Sequence, residues 1–82
     1  MVYYVYLIKT LDGYPVKTYV GYTNNLKKRL NLHNSGKGAK FTRGKIWKLV
    51  YYEKYDSKSE ALKKEYKLKK NFKLRKKIVE NK

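Results

Sequence analysis

The sequence predicts an α+β fold, a three-stranded antiparallel sheet flanked by helices, and three observations carry that prediction. Residues 2 to 9 are apolar or aromatic at nearly every position, as in a strand buried on both faces. A turn signal, Asp12-Gly13 with Pro15 close by, separates that run from a second β-favouring run at 17 to 22. Helical stretches near 25 to 34 and 58 to 70 then bracket a third run, 46 to 55, rich in Val, Tyr and Trp. Eighty-two residues hold one domain, 1 to 82, at the small end of what a single core stabilises.

The first strand should be the central one. A two-residue loop at Asp12-Gly13 would set Leu11 opposite Tyr14 and Tyr6 opposite Tyr19. Pro15 makes a longer loop plausible, and a shift by two would leave the two tyrosines diagonal on one face. Thr23 or Asn24 is the expected cap of the first helix. Within it Leu26 and Leu30 share a face, Arg29 and His33 run along the edge of that face, and Asn34-Ser35-Gly36 stops it.

From Gly36 to Gly44 three glycines alternate with Lys37, Lys40 and Arg43, too irregular for helix or strand, so a phosphate-contacting loop is expected. No Gly-Lys-Ser/Thr ending makes it a nucleotide loop. Ser57 with Glu60 reads as a capping box opening the second helix. Ala61, Leu68 and Phe72 share an arc of that helix with Leu62 beside it, and Glu65 falls inside the arc. A carboxylate there needs a cation, either Lys69 one turn on or a divalent metal. Residues 71 to 80 form a last short helix or prolong the second.

Charge is the strongest compositional fact: 22 Lys and Arg against 6 Asp and Glu give a formal +16. Counterion release makes nucleic acid the expected partner, ahead of anionic membrane; a lysine-rich surface without functional meaning is the plain alternative. With no cysteine, disulfides and thiolate metal sites are excluded. The apolar run at 2 to 8 is too short for a span and lacks a basic leader, so the protein is expected in the cytoplasm, off the membrane.

Tyr4-Val5-Tyr6 and Tyr19-Val20-Gly21 resemble the two halves of the GIY-YIG nuclease signature, and Gly21 to His33 is similar to the family's Gly-x-Thr-x-x-Leu-x-x-Arg-Leu-x-x-His pattern. The likeness extends through Gly36 to Arg43, Trp47 to Tyr51, and Ala61-Leu62 with Glu65, and is to the single-domain branch. It implies Tyr6 as general base, with Tyr19 hydrogen-bonded beside the attacking water or supporting the first tyrosine. Arg29 would then clamp phosphate with paired donors. Glu65 would be the one protein ligand of a Mg²⁺ or Mn²⁺ ion bound weakly without substrate. His33 would bond phosphate, shuttle a proton, or be structural. A tyrosine base needs its pKa lowered, with Arg29 as the means, or its proton passed on. The proline and asparagine that follow the last helix in some relatives have no clear match, and Asn71 is assigned no role.

The expectation is therefore a metal-dependent endonuclease acting on DNA ahead of RNA, with Lys37, Lys40, Arg43 and Lys69 on the nucleic acid. A basic binding module that keeps the fold without cleaving is the alternative, and an RNA- or ribosome-associated protein the third. A bare domain of this size, expected to be a monomer, would read backbone shape or need a partner protein for specificity.

Overall fold

The computed structural model describes residues 2–11 and 15–81. Strand β1 (Tyr3–Thr10) is followed by β2 (Thr18–Thr23), α1 (Leu26–Asn34), a single 3₁₀ turn (Lys40–Thr42), β3 (Trp47–Tyr55), α2 (Lys58–Lys70) and α3 (Phe72–Glu80). The sheet is antiparallel throughout, in the order β2-β1-β3. Val5 to Ile8 are all buried, as the doubly apolar pattern of a central strand requires.

The hairpin register differs from the shortest-loop expectation by two residues. Tyr6 pairs with Gly21, and Tyr19 pairs with Ile8, so the two tyrosines lie diagonally on one face. The longer connection that Pro15 makes plausible is the one adopted, closed by Thr10 N–H donating to Lys17 O at 2.9 Å. The Asp12-Gly13 turn itself falls outside the described residues. Gly21 is required by this register. A β-carbon there would sit 2.6 Å from Tyr6 Cζ, so the tyrosine ring occupies the space a side chain would need.

The two faces carry separate cores. Tyr6, Ile8 and Trp47 pack with Leu26 and Leu30 of α1, while Val5, Leu7, Val20 and Val50 pack with Ala61 and Leu68 of α2. A bulge in β3 makes this possible. Ile8 pairs with Leu49 and Leu7 with Tyr51, leaving Val50 as the extra residue. Trp47 and Leu49 thus face α1, whereas Tyr51, Glu53 and Tyr55 turn to the other side. There both phenols donate to Glu53, Tyr55 at 2.6 Å, which holds that carboxyl below its ordinary pKa.

Four local expectations are changed or made definite. The α1 cap is Asn25, whose side chain accepts from Lys28 N–H at 3.1 Å, while Thr23 Oγ1 accepts from Asn25 N–H at 3.2 Å. The Gly36–Gly44 segment is a loop, as expected, but it holds the 3₁₀ turn and buries Thr42 completely. Asn71 ends α2 and caps α3, accepting from Leu74 N–H at 3.0 Å, so the last helix is separate. Phe72 consequently leaves the α2 arc and is exposed. Ser57 caps α2 as expected, accepting from Glu60 N–H at 3.2 Å.

Replacing Gly21 by alanine should therefore overpack the sheet against a pinned ring. The expected cost is about 1–3 kcal/mol, read from the denaturant midpoint. An unchanged midpoint would mean the Tyr6 ring yields freely.

Candidate active site

The site is built around the Tyr6 hydroxyl. Tyr6 is 2% exposed, because β2 and β3 flank its strand and α1 lies across its face. Leu26, Leu30 and Leu49 close against Tyr6, Ile8 and Arg29 and leave no space for a water molecule on that side. The hydroxyl ends 2.7 Å from His33 Nε2. His33 is the one fully buried residue of α1, at 0% exposure, and its Nδ1 lies 2.9 Å from Thr42 Oγ1.

Two devices bring Thr42 to the histidine. Gly38 lets the backbone cross His33 closely: a β-carbon there would stand 2.8 Å from His33 Cγ and 2.9 Å from its Cα. Trp47 then anchors the turn, its Nε1–H donating to Thr42 O at 3.0 Å. Asn34 secures the same corner, its amide bonding both Trp47 N–H at 2.6 Å and Trp47 O at 3.2 Å.

Arg29, one turn before His33 on α1, lies close enough to the Tyr6 hydroxyl for the two to influence each other, and this interaction helps hold the guanidinium charged. Its Nε is buried without a partner among the described residues. A guanidinium with donors to spare is suited to an anion. Tyr19 stands edge-on to the His33 ring, centroids 5.1 Å apart.

The electrostatics depart from expectation at Tyr6. Its pKa is raised: burial outweighs the lowering by the Arg29 bond and charge, and the neighbouring Tyr19 and Glu65 push further up. Arg29 acts in the expected direction but does not win, so Tyr6 is a neutral phenol at rest. His33 moves the other way. Burial and then the Arg29 charge lower it to about 4 from an ordinary 6.5, so its lone pair persists at neutral pH.

Glu65 would share a sheet face with Arg29 only if its helix packed beside α1, and it does not. Its helix α2 covers the opposite sheet face from α1, not the same one. Glu65 nevertheless acts on Tyr6 electrostatically, and its neighbour Lys69 joins Thr18, Tyr19, Val20, Phe41 and Arg75 around an open groove of about 270 Å³ at β2. The Glu65 side chain is 15% exposed and pairs with Lys69 Nζ at 3.6 Å, the i,i+4 partner anticipated from sequence. Among the described residues no three His, Cys, Asp or Glu side chains cluster as metal ligands.

Lys37, Lys40 and Arg43 are exposed around the 3₁₀ turn. The residue between them that the sequence reading passed over is Phe41. It is 48% exposed, stacks on Tyr19 at 6.3 Å, and has Lys17 and Lys45 ammonium groups 6.0 and 5.5 Å from its ring centre. Thr42 was missed as well. Both lie in a segment without periodicity, where only the close approach of Gly38 to His33 gives them away.

The lowered His33 pKa has a measurable consequence for stability. Between about 4 and 6.5 the unfolded chain binds more protons at this residue than the folded chain. Stability therefore rises with pH across that window and is lost as pH falls through it. Unfolding free energies from urea titrations at about pH 7 and about pH 4.5 should differ by on the order of 2 kcal/mol from this group. Equal free energies would show that His33 titrates normally.

A family model described as the GIY-YIG catalytic domain matches residues 2–78. A UPF0213 protein of Oceanobacillus iheyensis is 45% identical over 67 residues, covering 80% of this chain and 74% of that one. A UPF0213 protein of Clostridium perfringens is 50% identical over 64 residues, covering 77% of this chain and 66% of that one. The fold is similar to the solution NMR structure of a UPF0213 protein from Bacillus halodurans, with a TM-score of 0.56, 38% identity, and coverage of 100% of this chain and 86% of that one. None of the described helices is long and apolar enough to cross a membrane. The match spans the paired strands that carry Tyr6 and Tyr19 and the helix that presents Arg29, and the chain belongs to the GIY-YIG family.

Proposed function

We propose that the protein is a metal-dependent endonuclease that hydrolyses phosphodiester bonds in nucleic acid, DNA ahead of RNA. The observation that carries this is the Tyr6 hydroxyl held between a permanent cation, Arg29, and the neutral base His33, 2.7 Å away. Because the phenol is neutral at rest, Tyr6 serves as a relay. The water oxygen bonds to phosphorus, one water proton passes to the Tyr6 oxygen, and the Tyr6 proton moves to His33 Nε2. The phosphorus–oxygen ester bond breaks, and the departing oxygen takes a proton from solvent.

Arg29 meets the negative charge that builds on the phosphate oxygens, and Tyr19 borders the water's position. Glu65 offers one carboxylate, which suits an ion of the Mg²⁺ type that fills its shell with water and phosphate oxygens. Such an ion, when bound, supplies Lewis acidity at the leaving oxygen. Lys37, Lys40 and Arg43, with Lys17 and Lys45 beside Phe41, form a basic surface continuous with Tyr19. Phe41 adds an exposed ring on which an unpaired base can stack.

One observation favours the non-cleaving binding module: Glu65 is already paired with Lys69. Substrate phosphates competing for Lys69 would free the carboxylate in the enzyme, whereas in a binding module the pair would persist.

A nicking assay on supercoiled plasmid separates the two. Mg²⁺- or Mn²⁺-dependent nicking is expected, lost by about 10²–10³-fold in Arg29→Ala and to a comparable degree in Glu65→Ala. No nicking under any divalent metal, with DNA binding intact, would establish the binding module instead.

Affinity should also fall steeply with salt. For about five phosphates neutralised, a fourfold rise in salt should weaken binding by roughly 500-fold. Flat salt dependence in a filter-binding or anisotropy titration would remove the charge argument.

A further inference from the structure

We propose that Thr42 is a positioning residue: its hydroxyl fixes His33 as the tautomer with hydrogen on Nδ1 and so turns the bare Nε2 toward the Tyr6 hydroxyl. The catalytic meaning of this rests on the cleavage reading above, but the tautomer itself follows from counting donors and acceptors.

A threonine hydroxyl has one hydrogen and two lone pairs. Thr42 Oγ1 lies 2.9 Å from the carbonyl oxygen of Ala39, which can only accept, so the hydroxyl hydrogen is committed there. The Ala39 N–H, 3.2 Å away, takes one lone pair. What Thr42 offers His33 Nδ1 at 2.9 Å is therefore the second lone pair, and Nδ1 must carry the hydrogen. A neutral imidazole has one N–H only. Nε2 is then bare, 2.7 Å from the Tyr6 hydroxyl, and accepts from it.

The opposite tautomer fails at both ends. Turning the Thr42 hydrogen toward Nδ1 would leave two oxygens 2.9 Å apart with no hydrogen between them. At the other end an Nε2–H would make the Tyr6 oxygen the acceptor, and the Tyr6 hydrogen would lose the acceptor it has in Nε2. Both costs fall in a site where His33 and Thr42 are fully buried, so water cannot compensate. Each of the three Thr42 bonds depends on the 39–42 turn, which ties the local shape of that turn to the proton affinity of Nε2. The chain of donation runs from Tyr6 to His33 to Thr42 to the Ala39 carbonyl. When Nε2 takes the Tyr6 proton, Nδ1–H is already bonded and no rotation or proton exchange is needed at that end.

His33 is the only histidine in the sequence, so long-range ¹H–¹⁵N NMR on the whole labelled protein reads its tautomer without ambiguity. At about pH 7 we expect protonated Nδ1 and bare Nε2 in the parent protein and in Thr42→Ser. Thr42→Val should move the population toward the Nε2–H form that neutral imidazole side chains favour in water. Should Thr42→Val not fold, Thr42→Ala supplies the same comparison. A parent spectrum with hydrogen on Nε2, or an Nδ1–H tautomer that survives loss of the hydroxyl, overturns the proposal. In the nicking assay Thr42→Val should lower kcat by about 10- to 100-fold with KM little changed. A chain that shows the expected tautomer and never cleaves would sink the nuclease reading and leave the assignment of Thr42 intact, so the two failures are distinguishable.

Discussion

The hydrogen bond between the Tyr6 hydroxyl and His33 Nε2 is the constraint around which the α1 side of the molecule is arranged. It joins the central strand to the helix that covers it, inside a cluster otherwise made of Ile8, Trp47 and leucines. A polar pair in such surroundings stabilises only when every remaining donor and acceptor is met. That requirement reaches outward. Gly21 has no side chain because the Tyr6 ring lies over it, and Gly38 has none because the turn must come close enough to His33 for Thr42 to bond it. Trp47 and Asn34 then hold the turn and the end of α1 to the start of β3.

Much of this could be read from residue order alone, and the exceptions have physical causes. Strand and helix positions followed from long apolar runs and from Ser57, whose cap was stated in advance. The face shared by Tyr6 and Tyr19 followed from the parity of the hairpin, which a shift by two does not alter. The register did not, because it depends on a turn whose length Pro15 leaves open. The β3 bulge was invisible as well. A strict alternation from Trp47 would send Tyr51, Glu53 and Tyr55 toward α1, and only pairing with β1 reveals that Val50 reverses them. His33 stood out as the sole histidine, yet its burial depends on Gly38 and Thr42, which lie in a segment with no period to read.

The sheet's two-sidedness bears on how a substrate would meet the site. Arg29 and His33 come from the helix on one face, while Glu65 comes from a helix on the other. Tyr19, Phe41, Lys69 and Arg75 border one groove beside β2, and Glu65 acts on Tyr6 through space. The Glu65–Lys69 pair keeps the carboxylate compensated, which an acidic side chain only 15% exposed requires.

Electrostatics at this site are decided locally, even in a chain carrying a formal +16. A strongly positive protein should favour phenolate over phenol everywhere, and the Arg29 charge pushes Tyr6 the same way. Burial still prevails, and Tyr6 keeps its proton. The same burial, now acting with the Arg29 charge, strips the proton from His33. Desolvation penalises whichever form is charged, so it pushes a phenol up and an imidazole down. The outcome is a neutral donor facing a neutral acceptor, which transfers nothing at rest. Burial comes first among the causes at both groups, so a change of charge beside Arg29 alone would leave the larger influence on His33 in place.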